Sequence, residues 1–165
     1  MTATHVTTCI GCKLVLPVTK WPTHSYILSS PACWKLYGEV LAREYSDKAY
    51  WKVHRLTVDA YALQHPGENN RRAIQSVNVH LASLYLIFEK NTTYDNATQQ
   101  IANIIKIHKA DLKFIVPPES CGQLTILDVW KATTAQEHAD LVRQWARSTY
   151  EAWSHHLKPI LKLIT

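Results

Sequence analysis

The stretch HRLTVDAYALQHPG, residues 54–67, decides the fold class because it has the pattern of a buried helix that stops at a proline. Its apolar residues recur at helical spacing, and Pro66 and Gly67 are typical helix-ending residues. We predict that this helix begins after Ser46–Asp47 and runs to His65. The stretch also carries two histidines, an aspartate and a tyrosine, so these polar groups either pack in the core or bind a ligand.

Further helices are predicted on both sides of this stretch. Ser30 and Pro31 are typical of a helix N-terminus, and Thr134 and Glu137 have the spacing of a capping box. The predicted helices begin near residues 30, 47, 70, 95 and 134, with a short one near 125–130. Glycine is scarce, with 4 in 165 residues, which argues against an all-β fold. We therefore expect an all-α protein, a helical bundle of four to five helices.

The domain organisation follows from length and from the position of the helices. We expect a single domain over residues 1–165, because this length suits one hydrophobic core. Within it, residues 1–29 are expected to form an irregular head that contains cysteines, and residues 30–165 the helical bundle.

Composition narrows the class of protein. Apolar residues make up 47% and charged residues 19%, which is a globular composition. The N-terminus lacks the pattern of a signal peptide, and the longest apolar stretch, residues 81–88, is too short to span a bilayer. We therefore expect a cytoplasmic protein with no membrane partner. The 18 lysines and arginines are scattered, which argues against a nucleic-acid partner. Oligomeric state stays open.

Three cysteines form the first candidate site. CIGC at residues 9–12 brings Cys9 and Cys12 to one point, where they can share a tetrahedral ion, and Cys33 in SPACW can supply a third thiolate. We predict a structural zinc site. Simple packing of small buried residues is the main alternative, while redox chemistry would require a βαβ context that is absent. The fourth ligand is expected to be a histidine: His24, with His5 or His156 as alternatives.

Histidines on the apolar faces of three predicted helices form the second candidate site. A single such histidine is usually a core residue, but three helices of a bundle can bring theirs together around Zn²⁺, Ni²⁺ or Fe²⁺. A metal with an open position would activate water. The candidate catalytic residues are His54, Asp59, Tyr61, His65, His80 and His138.

Some of these residues have simpler explanations. His65 lies at a helix C-terminus, where the helix dipole favours a protonated imidazole. Asp59 lies four residues after Arg55 and has the spacing of a surface ion pair, although an inward-facing Asp59 would instead orient a histidine. Tyr61 is explained as an amphipathic core residue.

Several long motifs, in order, carry a resemblance to a known family. CIGC, SPACW, LAREYSD, HRLTVDAYALQHPG, RRAIQSVNVHLASL, PPESCGQLTILDV and EHADLVRQWARSTYEAW together resemble the bacterial domain of unknown function 5946. The resemblance covers nearly the whole chain and implies a small soluble bacterial protein with no established activity. The family pattern includes the three cysteines and the residues His54, Asp59, His65, His80 and His138. It does not include Cys121, which we leave out of any site.

A second likeness is architectural. Histidines inside a helical bundle are similar to the DinB-like metal-binding bundles, which implies a thiol-dependent transferase or a hydrolase. We therefore predict a metal-binding, zinc-containing helical-bundle protein, and leave open whether it is an enzyme. If it is one, we expect a metal-dependent hydrolase or transferase that acts on a small-molecule substrate. The alternative is a non-catalytic interaction module with a structural zinc site.

Overall fold

The computed structural model describes residues 5–164 and is mostly helical, which confirms the predicted all-α class. The elements in this range are β1 (Val6–Thr8), β2 (Val15–Pro17), α1 (Pro31–Ser46), α2 (Lys48–Trp51), α3 (His54–Gln64), α4 (Arg71–Phe88), α5 (Tyr94–His108), α6 (Ile126–Trp130), α7 (Ala135–Trp153), a 3₁₀ turn (Ser154–His156) and α8 (Lys158–Ile164).

Polar side chains begin the long helices where the sequence predicts them. Ser30 accepts a hydrogen bond from the backbone of Cys33 at the start of α1, and Thr134 accepts one from Glu137 at the start of α7. Each bond satisfies a backbone N–H that has no partner within the helix. Asn70 does the same for α4.

The second predicted helix is not continuous, and this part of the prediction is wrong. It is broken at Val53 into α2 and α3, and Val53 itself is fully buried. The break leaves Trp51 about half exposed, at 45%, although helical spacing alone places it on the inward face. Short helices such as α2, α6 and α8 explain why the described residues form more helices than the four to five expected.

The N-terminal head is ordered by a β-hairpin rather than being irregular throughout. β1 and β2 pair antiparallel, with Val6 opposite Pro17 and Thr8 opposite Val15. The loop between the two strands carries the CIGC motif. The hairpin therefore presents both cysteines of this motif at its tip.

Helix α3 lies at the centre of the fold and packs mainly against α4 and α7. From Leu56 onward almost all of its side chains are buried, including polar ones. Trp145 and Trp153 of α7 are also fully buried, and the Trp153 indole donates a hydrogen bond to the Leu63 carbonyl at 3.1 Å. Polar groups on α3 are thus placed where water cannot satisfy them, so their partners must come from the protein.

Among the helices of residues 5–164, none combines the length and the apolar character that a membrane span requires.

Candidate metal centre and the buried histidines

Cys9, Cys12, Cys33 and His65 converge on one point. Their ligand atoms all lie within 4.8 Å of one another. The Cys12 and Cys33 sulfurs are 3.7 Å apart, and the Cys33 sulfur is 3.4 Å from His65 Nε2. A tetrahedral ion with Zn–S bonds of about 2.3 Å and a Zn–N bond of about 2.0 Å requires separations of about 3.8 and 3.5 Å. These two separations match those of a tetrahedral Cys₃His site.

The hairpin loop fixes the first two cysteines by its backbone. The Cys9 N–H donates to the Leu14 carbonyl at 2.7 Å, and the Lys13 N–H donates to the Cys9 carbonyl at 3.1 Å. Lys13 has a left-handed φ of 64°, which closes the turn behind Cys12. The loop thus folds back on itself and turns both sulfurs toward the helices.

Gly11 lets this loop approach the end of α3. A Cβ atom at this position would overlap the Gln64 carbonyl oxygen and lie 2.5 Å from the His65 ring carbon Cδ2. Glycine is therefore needed between the two cysteines because His65 packs directly against the backbone there.

The start of α1 positions the third cysteine. Cys33 lies in the first turn of the helix, where the positive end of the helix dipole favours a thiolate. Ser30 links two ligands: its hydroxyl accepts from the Cys33 backbone, and its own N–H donates to the Cys9 sulfur at 3.3 Å. Such N–H···S bonds orient metal-binding thiolates and stabilise their charge.

His65 is held in one orientation by the end of α3. Its Nδ1 lies 2.7 Å from the Tyr61 carbonyl oxygen, which can only accept a hydrogen bond, so the proton is on Nδ1. Nε2 faces the three sulfurs. A backbone carbonyl that fixes the tautomer in this way is the usual arrangement around a metal-binding histidine.

The three thiols of the cluster affect one another's ionisation. Hydrogen bonds from Cys12 and Cys33 hold the pKa of Cys9 far below its ordinary value. Hydrogen bonding to Cys12 and Cys9, together with burial, raises the pKa of Cys33 far above its ordinary value. The protein alone therefore favours one thiolate, because neighbouring like charges oppose one another. A bound divalent cation would allow all three to ionise.

His24, the expected fourth ligand, lies elsewhere, and His65 takes its place in the cluster. The His24 ring accepts a hydrogen bond from the Tyr26 backbone at 3.3 Å and packs near Trp34. The alternatives are also outside the cluster. His5 is exposed beside β1, and His156 contacts the edge of Trp153.

Two of the other candidate histidines bind a buried carboxylate, Glu44 of α1. Glu44 Oε2 lies 2.7 Å from His54 Nδ1, and Oε1 accepts from Thr57 at 2.5 Å and from His138 Nε2 at 2.9 Å. The Glu44 side chain is fully buried. Burial raises its pKa, but hydrogen bonds from His138, His54 and Thr57 outweigh this effect and lower it. Glu44 is therefore held as an anion in the core.

The third histidine, His80, pairs with the buried carboxylate of Asp59. Asp59 Oδ1 lies 2.7 Å from His80 Nδ1, while Oδ2 accepts from Ser83 at 2.5 Å and from Arg55 at 3.1 Å. Asp59 makes the predicted contact with Arg55, but its side chain is fully buried, so the expectation of a surface ion pair is wrong. It faces inward and contacts His80. Among residues 5–164, no second group of three or more donors has metal-ligand spacing.

Tyr61 of α3 contacts both the metal-ligand cluster and the ring of Tyr37 in α1. Its hydroxyl donates to the Cys33 sulfur at 3.4 Å, and its ring stacks on Tyr37 with centroids 3.8 Å apart. Burial, with the nearby Cys33 charge, raises its pKa well above the ordinary value. Tyr61 is therefore a neutral hydrogen-bond donor to the Cys33 sulfur.

Sequence reasoning missed Glu44 as a site residue. Glu44 follows Cys33, Tyr37 and Val40 at helical spacing. A carboxylate on the apolar face of a predicted helix could therefore have identified Glu44 as a candidate site residue.

Cys121 is half-buried with its sulfur near the Pro118 carbonyl, and it lies outside the metal-ligand cluster, as expected.

The fold and this cluster together define a mostly helical protein with a candidate Cys₃His metal centre. A family model matches residues 7–154, and the chain belongs to that family, the family of unknown function DUF5946. No curated protein and no solved structure matches the chain.

Proposed function

We propose that the protein binds one Zn²⁺ through Cys9, Cys12, Cys33 and His65, and that this ion is structural. The observation that carries the proposal is the convergence of three sulfurs and one imidazole nitrogen within 4.8 Å. Thiolate and imidazole donors in tetrahedral arrangement suit Zn²⁺ better than Mg²⁺ or Ca²⁺, which prefer oxygen.

A structural role follows from the closed ligand set. Catalytic zinc sites keep one position for water or substrate, whereas four protein donors fill a tetrahedral ion. Cys9, Cys33 and His65 are also fully buried, which limits access to the site. The ion would tie the hairpin to the start of α1 and the end of α3.

The hairpin needs such a link because it is a poor folding unit by itself. It has only two three-residue strands, and Val6, Ile10 and Val15 are exposed. Two-stranded hairpins are marginally stable in water. Zinc binding would therefore contribute folding free energy to this part of the chain.

We also propose that Glu44, with His54, His138 and Thr57, is a structural hydrogen-bond group. Each donor faces the buried carboxylate, so the Glu44 oxygens have partners without a metal. Within residues 5–164, His138 Nδ1 is buried without a hydrogen-bond partner. A catalytic role for His54, Asp59, Tyr61, His80 and His138 stays a prediction. A non-catalytic interaction module remains compatible with a structural ion.

Zinc content of purified variants tests the main proposal. We expect about one zinc per chain in the wild type and in His24→Ala, measured by elemental mass spectrometry after gel filtration. Cys33→Ser and His65→Ala should retain little zinc, while Cys121→Ser should match the wild type. Full zinc in His65→Ala together with loss in His24→Ala would contradict the proposal.

A further inference from the structure

A large cavity lies between α1, α4 and the segment that precedes α1. Its volume is about 720 Å³, which is within the range of small-molecule sites. It is separate from the four candidate zinc ligands, none of which lines it. The lining includes both aromatic and cationic side chains, but no carboxylate.

One wall of the cavity is aromatic and rigid. Trp34 and Tyr37 line it, with ring centroids 5.3 Å apart, and Tyr37 is stacked on Tyr61 behind it. His24 packs against Trp34 at the same wall. A stacked and largely buried wall of this kind suits a flat apolar or aromatic ligand.

The lining of the cavity also carries two positive charges without acidic partners. Arg72 and Lys109 both line the cavity, and among residues 5–164 neither makes an ion pair. The Arg71 side chain donates to the Lys109 backbone carbonyl, which holds the start of α4 against the end of α5. Because Arg72 follows Arg71 in the chain, this contact holds Arg72 and Lys109 beside the same cavity.

The position of Arg72 in its helix is unfavourable unless an anion is present. Arg71 and Arg72 occupy the first turn of α4, and this turn contains no acidic residue. The positive end of a helix dipole favours anions and disfavours cations. An anionic group bound near Arg72 would interact favourably with both the side chain and the helix terminus.

His80 adds a polar group of defined orientation. Its Nδ1 is bonded to Asp59, which Arg55 and Ser83 hold in place, so only Nε2 remains for other partners. His80 lines the cavity together with Gln75 and Ser76 of the same helix. A few fixed polar groups among apolar ones are typical of specific ligand sites.

We propose that this cavity binds a small organic anion, an aromatic carboxylate or phosphate monoester. Its ring stacks on the Trp34 wall, its anionic group contacts Arg72 and Lys109, and a polar substituent contacts His80. The proposal requires no chemical step and does not depend on the identity of the metal.

Binding of the anionic dye 1-anilinonaphthalene-8-sulfonate to the zinc-loaded protein tests the proposal. We expect Arg72→Gln to weaken binding about tenfold or more, because it removes a charge-assisted contact. Lys109→Gln should act in the same direction. The matched control is Arg143→Gln, which removes the same charge from an exposed pair with Asp140 on α7 and should leave binding unchanged. Zinc content and near-ultraviolet circular dichroism should be equal in all variants.

Competition identifies the ligand class. Benzoate and phenyl phosphate should displace the dye from the wild type, and the better competitor distinguishes a carboxylate from a phosphate ligand. Benzyl alcohol, which has the ring without the charge, should displace it much less well. Equal weakening in Arg72→Gln and Arg143→Gln, no weakening in Arg72→Gln, or equal displacement by benzyl alcohol would overturn the proposal.

Discussion

The metal-ligand cluster and the Glu44 group both use buried histidines, but the atoms that face each imidazole give them different roles. His65 faces three sulfurs, and a backbone carbonyl holds its other nitrogen. His138 and His54 instead face a carboxylate that already accepts from Thr57. A histidine on a helical stripe is thus a ligand or a hydrogen-bond donor according to its partners.

Loss of the metal is the largest expected change. Removing zinc with a chelator, or replacing Cys33 with serine, should lower the unfolding free energy by more than about 5 kcal/mol, because structural zinc contributes directly to folding. The melting temperature should fall by about 10 °C or more. Calorimetry with and without chelator measures this, and Cys121→Ser serves as the control. An unchanged melting temperature would mean that the cluster contributes nothing to stability.

Glu44→Ala is the corresponding test of the other region. It removes a buried anion and leaves His54, His138 and Thr57 without their acceptor, so we expect a loss of about 3–5 kcal/mol. Zinc content should stay at the wild-type level, since none of the four metal-binding residues contacts Glu44. Urea unfolding and elemental analysis check the two parts of the prediction. Loss of zinc in this variant would show that the two regions are not independent.

Gly11→Ala should affect the metal centre more weakly. The added Cβ overlaps the end of α3 at His65, so the loop must shift, at a cost of about 1–3 kcal/mol. We expect weaker zinc binding in competition with a chelating dye. Gly38→Ala is the matched control, because a Cβ there meets no atom within 4 Å and α1 should gain stability. Similar zinc affinity in both variants would argue against close packing of Gly11 on His65.

The pH dependence from Glu44 is the smallest expected effect. Its pKa is lowered in the folded protein, so its ionised form stabilises the fold above the unfolded pKa of about 4.3. That contribution is lost as pH falls through the lower folded pKa. The stability difference between wild type and Glu44→Gln should therefore shrink below about pH 4. Subtracting the two urea curves cancels the shared zinc contribution, and a difference that grows on acidification would contradict the assignment.

Patterns formed by residues close together in the sequence predicted much of the fold and part of the candidate metal centre. Ser30, Pro31, Thr134 and Glu137 marked helix starts because capping depends on neighbours in sequence. The CxxC spacing identified two members of the cluster for the same reason, since one turn of chain brings both sulfurs together.

The fourth ligand was not predictable by local rules. His65 has the signature of a helix C-terminus, and only the packing of Gly11 against α3 brings it into the cluster. Glu44 was equally hard to assign, because its partners come from α3 and α7. The break at Val53 also escaped prediction, since the surrounding residues keep helical spacing.

X-ray absorption at the zinc K-edge of the purified protein tests the central claim most directly. We predict three sulfur neighbours at about 2.3 Å and one nitrogen neighbour at about 2.0–2.1 Å. The little zinc that His65→Ala retains should lack this nitrogen neighbour, and His24→Ala should keep it. A zinc shell made mainly of nitrogen and oxygen, or one unchanged in His65→Ala, would contradict the account.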